Sequence, residues 1–160
     1  MLTTSTVAAG GNVKLSGIQF SLSSLVASGF ASGLGNTDVT VVLDAAGIPA
    51  VTCTNLGGNQ AAGQNPPKVS ISGAQYLIHQ NYTKNGRSPF DVETEEPQPG
   101  LTAEQLGCPN NNWSATIDFV FWTEATISVY STATNALLAQ QKYTCVTARD
   151  PASVNCTPLP

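Results

Sequence analysis

Apolar and polar residues alternate with a period of two along most of the chain, the pattern of strands that bury one face. Ile18, Phe20 and Leu22 alternate with Gln19 and Ser21, and Val39, Val41 and Leu43 alternate with Thr40 and Val42. After Ala45, Ala46 and Gly47 the run resumes at Ala50, Val51 and Cys53, which predicts a hairpin with a short glycine-containing loop. Residues 68–77 alternate again, with Val69 and Ile71 on one face and Ser70 and Ser72 on the other. The strongest run, 113–122, places Trp113, Ala115, Ile117, Phe119 and Phe121 on one apolar face. On that parity Trp113 is buried, whereas Trp122 and Tyr130 are exposed. Ala125, Ile127 and Val129 point inward through 124–131, and 136–147 return after a turn at 132–135. Asp150 and Pro151 mark a last turn before a strand over 154–159.

Helical pattern is confined to 101–106, a single turn with Thr102 as its cap and Gly107 as its stop. Short strands separated by Gly, Asn and Pro predict an all-β fold, a disulfide-containing antiparallel β-sandwich of Ig-like or jelly-roll type. Two loops are long: 55–67, which carries no apolar pattern, and 79–100, which carries Asp91, Glu93, Glu95 and Glu96. One sandwich domain over 12–160 follows an N-terminal arm over 1–11.

Composition sharpens this picture by what it removes. Charged residues make up 10% of the 160-residue chain, against about 25% in ordinary globular proteins. With six Lys and Arg and a net charge of −4, the chain lacks the cation cluster that releases counterions from a phosphate backbone. Nucleic acid and anionic membrane are both poor partners on that ground. The surface is instead rich in hydroxyl and amide groups, which pack against a neighbouring copy without the desolvation cost of buried charge. No stretch matches the roughly 18 apolar residues of a transmembrane segment. The start of the chain also lacks a signal peptide's basic and apolar regions, so any export signal is expected to have been removed or replaced.

The four cysteines, Cys53, Cys108, Cys145 and Cys156, include no close pair of the zinc-binding kind. An even count in such a chain suits an oxidising compartment. Of the three connectivities, Cys145–Cys156 with Cys53–Cys108 is favoured. Positions 145 and 156 are equidistant from the turn at Asp150 and Pro151, and the other two flank the long loops.

The segments TCTNLGGNQAAGQNPPK (52–68), GLGNTDVT (33–40) and GCPNNNW (107–113) resemble a group of secreted bacterial proteins of unassigned function. The likeness covers roughly residues 15–147. It implies export and a β-fold, and it brings no active site.

Candidate chemistry is sparse. His79 is the single histidine, and a Ser–His–Asp arrangement needs a histidine base oriented by an acid. Its polar neighbours Gln80 and Asn81 mark it as a loop residue. No nucleophile elbow, dinucleotide fingerprint or P-loop is present, so no catalytic residue, cofactor or fixed metal site is assigned. Calcium takes six to eight oxygens, and the acidic stretch 91–96 is the one place where such an ion is considered.

Two functional classes remain. The first is a non-enzymatic, secreted or cell-surface structural or adhesive protein that assembles with copies of itself into a filament or matrix. Its assembly residues would be Leu2, Thr4, Thr6 and Val7, with Gly10 and Gly11 as a hinge. Leu2 and the methyl groups of Thr4, Thr6 and Ala8 share one face of an extended arm, and Val7 and Ala9 share the other. Such an arm can complete another subunit's sheet. The second class is a glycan- or calcium-dependent binding module, using exposed aromatics or the acidic stretch.

Overall fold

The computed structural model describes residues 12–22, 24–84, 86–95, 100–148 and 153–160. These form β1 (Lys14–Leu22), β2 (Leu25–Ser32), β3 (Val39–Thr54), β4 (Gln60–Ala62), β5 (Val69–Leu77), β6 (Ser88–Glu93), β7 (Ser114–Ser131), β8 (Leu137–Thr147) and β9 (Val154–Pro158). A three-stranded sheet of order β1-β2-β6 faces a six-stranded sheet of order β4-β3-β7-β8-β9, in which β5 also pairs with β3. All pairings are antiparallel. The fold is an all-β sandwich.

Its main core lies between the sheets. Leu25, Ala27, Phe90 and Val92 of the smaller sheet meet Val41, Leu43, Trp122, Ile127 and Val129 of the larger. Burying each large side chain stabilises by about 1.5–3 kcal/mol. The two sheets also join along one side. Paired bonds between Leu25 and Thr94 (3.0 and 2.9 Å) extend the β2–β6 ladder by one step, and the next residue, Glu95, donates its N–H to the Ser72 carbonyl on β5 of the larger sheet (3.1 Å).

The hairpin expected at residues 45–50 does not form. Instead β3 runs unbroken for 16 residues, with every odd-numbered residue buried. Gly47 permits this by its size. A Cβ there would lie 2.4 Å from the Phe121 carbonyl oxygen, so glycine lets β7 pass alongside where any other residue would push it away.

Two bulges in β7 overturn the expected parity of its apolar face. Ala46 pairs with Glu124 but Gly47 with Trp122, leaving Thr123 extra; Ala50 pairs with Phe119 but Val51 with Ile117, leaving Asp118 extra. Each extra residue exchanges the faces of the strand. Trp122 and Val120 therefore fall on the core side, 2% and 4% exposed, while Phe119 and Phe121 turn outward and are half-buried. Trp113 is half-buried against a smaller cluster. The tryptophan expected to be exposed is the largest side chain of the core.

Beyond Gly47 the β3–β7 ribbon continues past the smaller sheet. β5 pairs β3 only as far as Gly47, and β8 pairs β7 only as far as Glu124. The ribbon's inner face is covered by the segment before β7, through a second cluster of Val51, Cys53, Leu106 and Cys108. That segment contains the turn expected at 101–106. Thr102 Oγ1 accepts from Gln105 N–H (3.2 Å), Gln105 Oε1 accepts from Thr102 N–H (2.9 Å), and Gly107 ends the turn at φ +96°. This reciprocal pair is a capping box. The 55–67 loop is also more ordered than its sequence suggests. Its β4 pairs with Thr52, Cys53 and Thr54, and Gln64 N–H donates to the Gly107 carbonyl (2.9 Å).

Candidate functional site

The protruding ribbon carries the features that stand apart from the packed sandwich. Over residues 114–121 one side of β7 is paired with β3, and among the described residues no backbone group pairs with its other side. Unpaired N–H and C=O groups along an edge are a template for another strand. The outer face beside this edge is polar at its start, where Ser114, Thr116 and Asp118 are exposed, and apolar at its end. Phe119 and Phe121 meet edge to face with ring centroids 4.9 Å apart, and their cross-strand partners are Ala50 and Ile48, the latter 37% exposed. On the inner side a shallow groove runs along the strand's start, lined by Leu101, Ala103, Leu106, Trp113 and Ala115. The edge thus has apolar side chains outside at 119–121 and inside along its start, with the exposed Asp118 between them. The sequence reading missed this because it assigned Phe119 and Phe121 to the core; no local signal marks Thr123 or Asp118 as bulged.

The disulfides brace this region and the opposite flank. Cys53 and Cys108 are bonded at a Cα separation of 5.7 Å and tie β3 to the covering segment. Cys145 and Cys156 are directly opposed in the β8–β9 ladder, bonded at 4.0 Å between Cα atoms. These are the pairs that the hairpin symmetry favoured, although Asp150 and Pro151, on which that symmetry was centred, lie outside the described residues. The arm residues Leu2, Thr4, Thr6, Val7, Gly10 and Gly11 also lie outside them.

His79 is not the isolated loop residue its neighbours suggest. It begins a 3₁₀ turn, His79–Asn81. Asp38, just before β3, accepts from its backbone N–H (2.8 Å) and lies 2.7 Å from its Nδ1. These two contacts, the backbone bond first, hold the Asp38 carboxyl below its usual range. Through these two contacts the pair ties the start of β3 to the end of β5. A depressed carboxyl pKa contributes stability above the unfolded carboxylate's pKa and loses it as pH falls through the folded value. Asp38→Asn should therefore flatten the acid limb of the melting-temperature profile below about pH 4. Because the backbone bond survives in His79→Ala, that variant should melt closer to wild type than Asp38→Ala does. Thermal melts of the three variants between pH 2.5 and 7 check both; equal losses for His79→Ala and Asp38→Ala would disprove the tether.

Asp91 and Glu93 project from the exposed face of β6, Glu95 follows it, and Glu96 lies outside the described residues. No group of three His, Cys, Asp or Glu side chains among the described residues is placed to hold a metal ion. On the outer face of the larger sheet, Tyr76, 71% exposed, and half-buried Tyr130 flank Thr40 in one cross-strand row. Four residues further along the same three strands lies a shallow depression lined by Asp44, Ser70, Ser72, Glu124 and Thr126. Lys68 pairs with Glu124 at its rim.

Comparison with protein-family models, with curated proteins and with solved structures finds no match to this chain. Among the described residues no helix is long and apolar enough to cross a membrane. Two disulfides with no free cysteine are consistent with an extracellular protein.

Proposed function

We propose that this protein is a non-enzymatic, secreted or cell-surface structural subunit that assembles with copies of itself. The observation that carries the reading is the edge at 114–121, unpaired on one side among the described residues, with apolar side chains outside at Phe119 and Phe121 and inside along the groove at Trp113 and Ala115. The bulge and exposed charge at Asp118 discourage unselective pairing in the middle of this edge. The weakly charged, hydroxyl-rich surface supports the same reading, since two such surfaces meet at little desolvation cost. An arm over 1–11 that adds to a neighbour's sheet makes a head-to-tail contact, which need not close and so generates filaments. Export is also what the resemblance to secreted bacterial proteins implies. Deleting residues 1–11 should leave a folded, monomeric protein that no longer assembles, by size-exclusion chromatography with circular dichroism. Unchanged assembly in that variant would remove the arm from the account.

A second reading, glycan binding, is favoured by one observation, the Tyr76–Thr40–Tyr130 row. Its two rings lie on one face about 10 Å apart, two inter-strand spacings, beside a depression lined by carboxylates and hydroxyls. Under this reading Tyr76→Ala abolishes a signal that the wild-type protein gives on a glycan array. A wild-type protein silent on the array, with or without calcium, disposes of it.

A further inference from the structure

The partner for the open β7 edge can be argued from reach. Residue 12 sits at the far end of the sandwich from that edge. The Asn12 carbonyl lies against Gly33, and Lys14 pairs with Ser32 at the end of β2. Leu34 and Thr37 close a tight turn (3.0 Å) that leads directly into β3 at Val39. Val39 pairs with Ser131, and Asp38 with Thr132, at the same end. Phe121, the near limit of the open edge, pairs with Ile48. Nine strand residues, about 30 Å at 3.3 Å each, separate that level from Val39.

To lie along 114–121 of its own chain, the segment 2–9 would need residues 10–12 to cross most of that distance. Three residues span at most about 11 Å. Running the segment the other way does not help, because residue 9 would then sit opposite Ser114, farther still. Its own chain cannot place this segment on this edge, and a second copy can.

Resting on the self-assembly reading above, we infer that residues 2–9 of one copy add as a strand to the 114–121 edge of β7 in the next copy. The lengths agree: both stretches are eight residues long, about 26 Å when extended. The chemistry agrees as well. Neither face of the arm is strongly apolar, and the edge supplies the apolar contacts the arm lacks. One arm face, with Leu2 and the methyl groups of Thr4, Thr6 and Ala8, and the other, with Val7 and Ala9, would meet Phe119 and Phe121 on one side and the groove beside Trp113 and Ala115 on the other. The bulge at Asp118 twists the edge between two short ladders. Twisting restricts pairing to a strand that matches both, so the edge is selective and does not accept every extended segment.

A photo-cross-linking amino acid in place of Val7 in the full chain tests this, with that chain mixed with isotope-labelled wild-type protein before irradiation. The expected result is cross-linked peptide pairs of mixed label that join the arm to residues within 114–121. Phe121→Lys in the labelled partner should abolish those pairs while leaving its circular dichroism intact. Assembly with mixed-label cross-links to another strand would overturn this docking site and leave self-assembly standing. Arm-to-edge pairs of a single label alone, with none of mixed label in a sample that assembles, would show the arm on its own chain's edge and overturn the inference. A chain that stays monomeric at all concentrations would overturn the self-assembly reading itself, and this inference with it.

Discussion

Trp122→Ala should destabilise the protein by about 3–5 kcal/mol, the usual cost of truncating a buried aromatic. That is a large part of the roughly 5–15 kcal/mol that holds a domain together. Trp122 is 2% exposed and is the largest of the fully buried side chains. It sits where β7 leaves the ladder with β8, and its N–H donates to Thr147 Oγ1 (2.8 Å), a hydroxyl that is itself buried. The informative comparison is its neighbour. Phe121, half-buried on the outer face, should cost about 1 kcal/mol or less when truncated. Strict alternation along 113–122 demands the reverse order, with Phe121 in the core and Trp122 outside. Urea unfolding of the two variants decides between them. A greater loss for Phe121→Ala would mean that the bulges at Thr123 and Asp118 are absent.

The second large effect belongs to the Cys53–Cys108 bridge. Its sequence separation of 55 corresponds to about 4 kcal/mol of loop-closure entropy, against about 3 kcal/mol for the separation of 11 at Cys145–Cys156. The structural setting widens the gap. Among the described residues the second cluster has four buried apolar residues, Val51, Cys53, Leu106 and Cys108, with half-buried side chains such as Trp113 and Ile117 against them, so the cover of the protruding ribbon rests on a far smaller core than the main sandwich. By contrast, Cys145 and Cys156 sit in a ladder of five cross-strand pairs that persists without them. Cys53→Ala with Cys108→Ala should therefore lower stability more than the corresponding pair at 145 and 156. It should also open the ribbon locally, with faster amide exchange at 51–54 and 114–117 while the main sandwich stays protected. Equal losses for the two double variants, or exchange that rises uniformly, would contradict this division into two clusters.

How much of this was legible in the sequence depends on how local the determinants are. The strands at 69–77 and 137–147 are stated by their own alternation, as is 18–22 within β1, ahead of which a register shift between Ser16 and Gln19 breaks the pattern. The turn over 101–106 is spelled by Thr102, Gln105 and Gly107. The Cys145–Cys156 bridge follows from a short hairpin in which both residues occupy opposed positions. One misreading is local: the stretch 79–100, expected as a loop, contains β6, whose Phe90 and Val92 alternate with Asp91 and Glu93 and enter the core. The others involve distant partners. Gly47 reads as a turn until β7 is placed beside it, because what it provides is room for another strand's backbone. Thr123 and Asp118 carry no mark of a bulge; their register is imposed by pairing with β3. The Asp38–His79 tether joins residues 41 apart, and neither has a neighbour that announces the other. The edge at 114–121, unpaired among the described residues, was invisible for the same reason, since it lies beyond the point where β8 ends its pairing at Glu124. Of the candidate assembly surface the sequence named the donor, residues 2–9, and gave no sign of the acceptor.

The self-assembly reading stands or falls on whether the intact chain associates in solution. Sedimentation velocity over a hundredfold range of protein concentration, with negative-stain microscopy of the most concentrated sample, measures this directly. The account predicts species that grow with concentration beyond any closed dimer, and filaments on the grid. A single monomeric boundary at every concentration, with an empty grid, would contradict it.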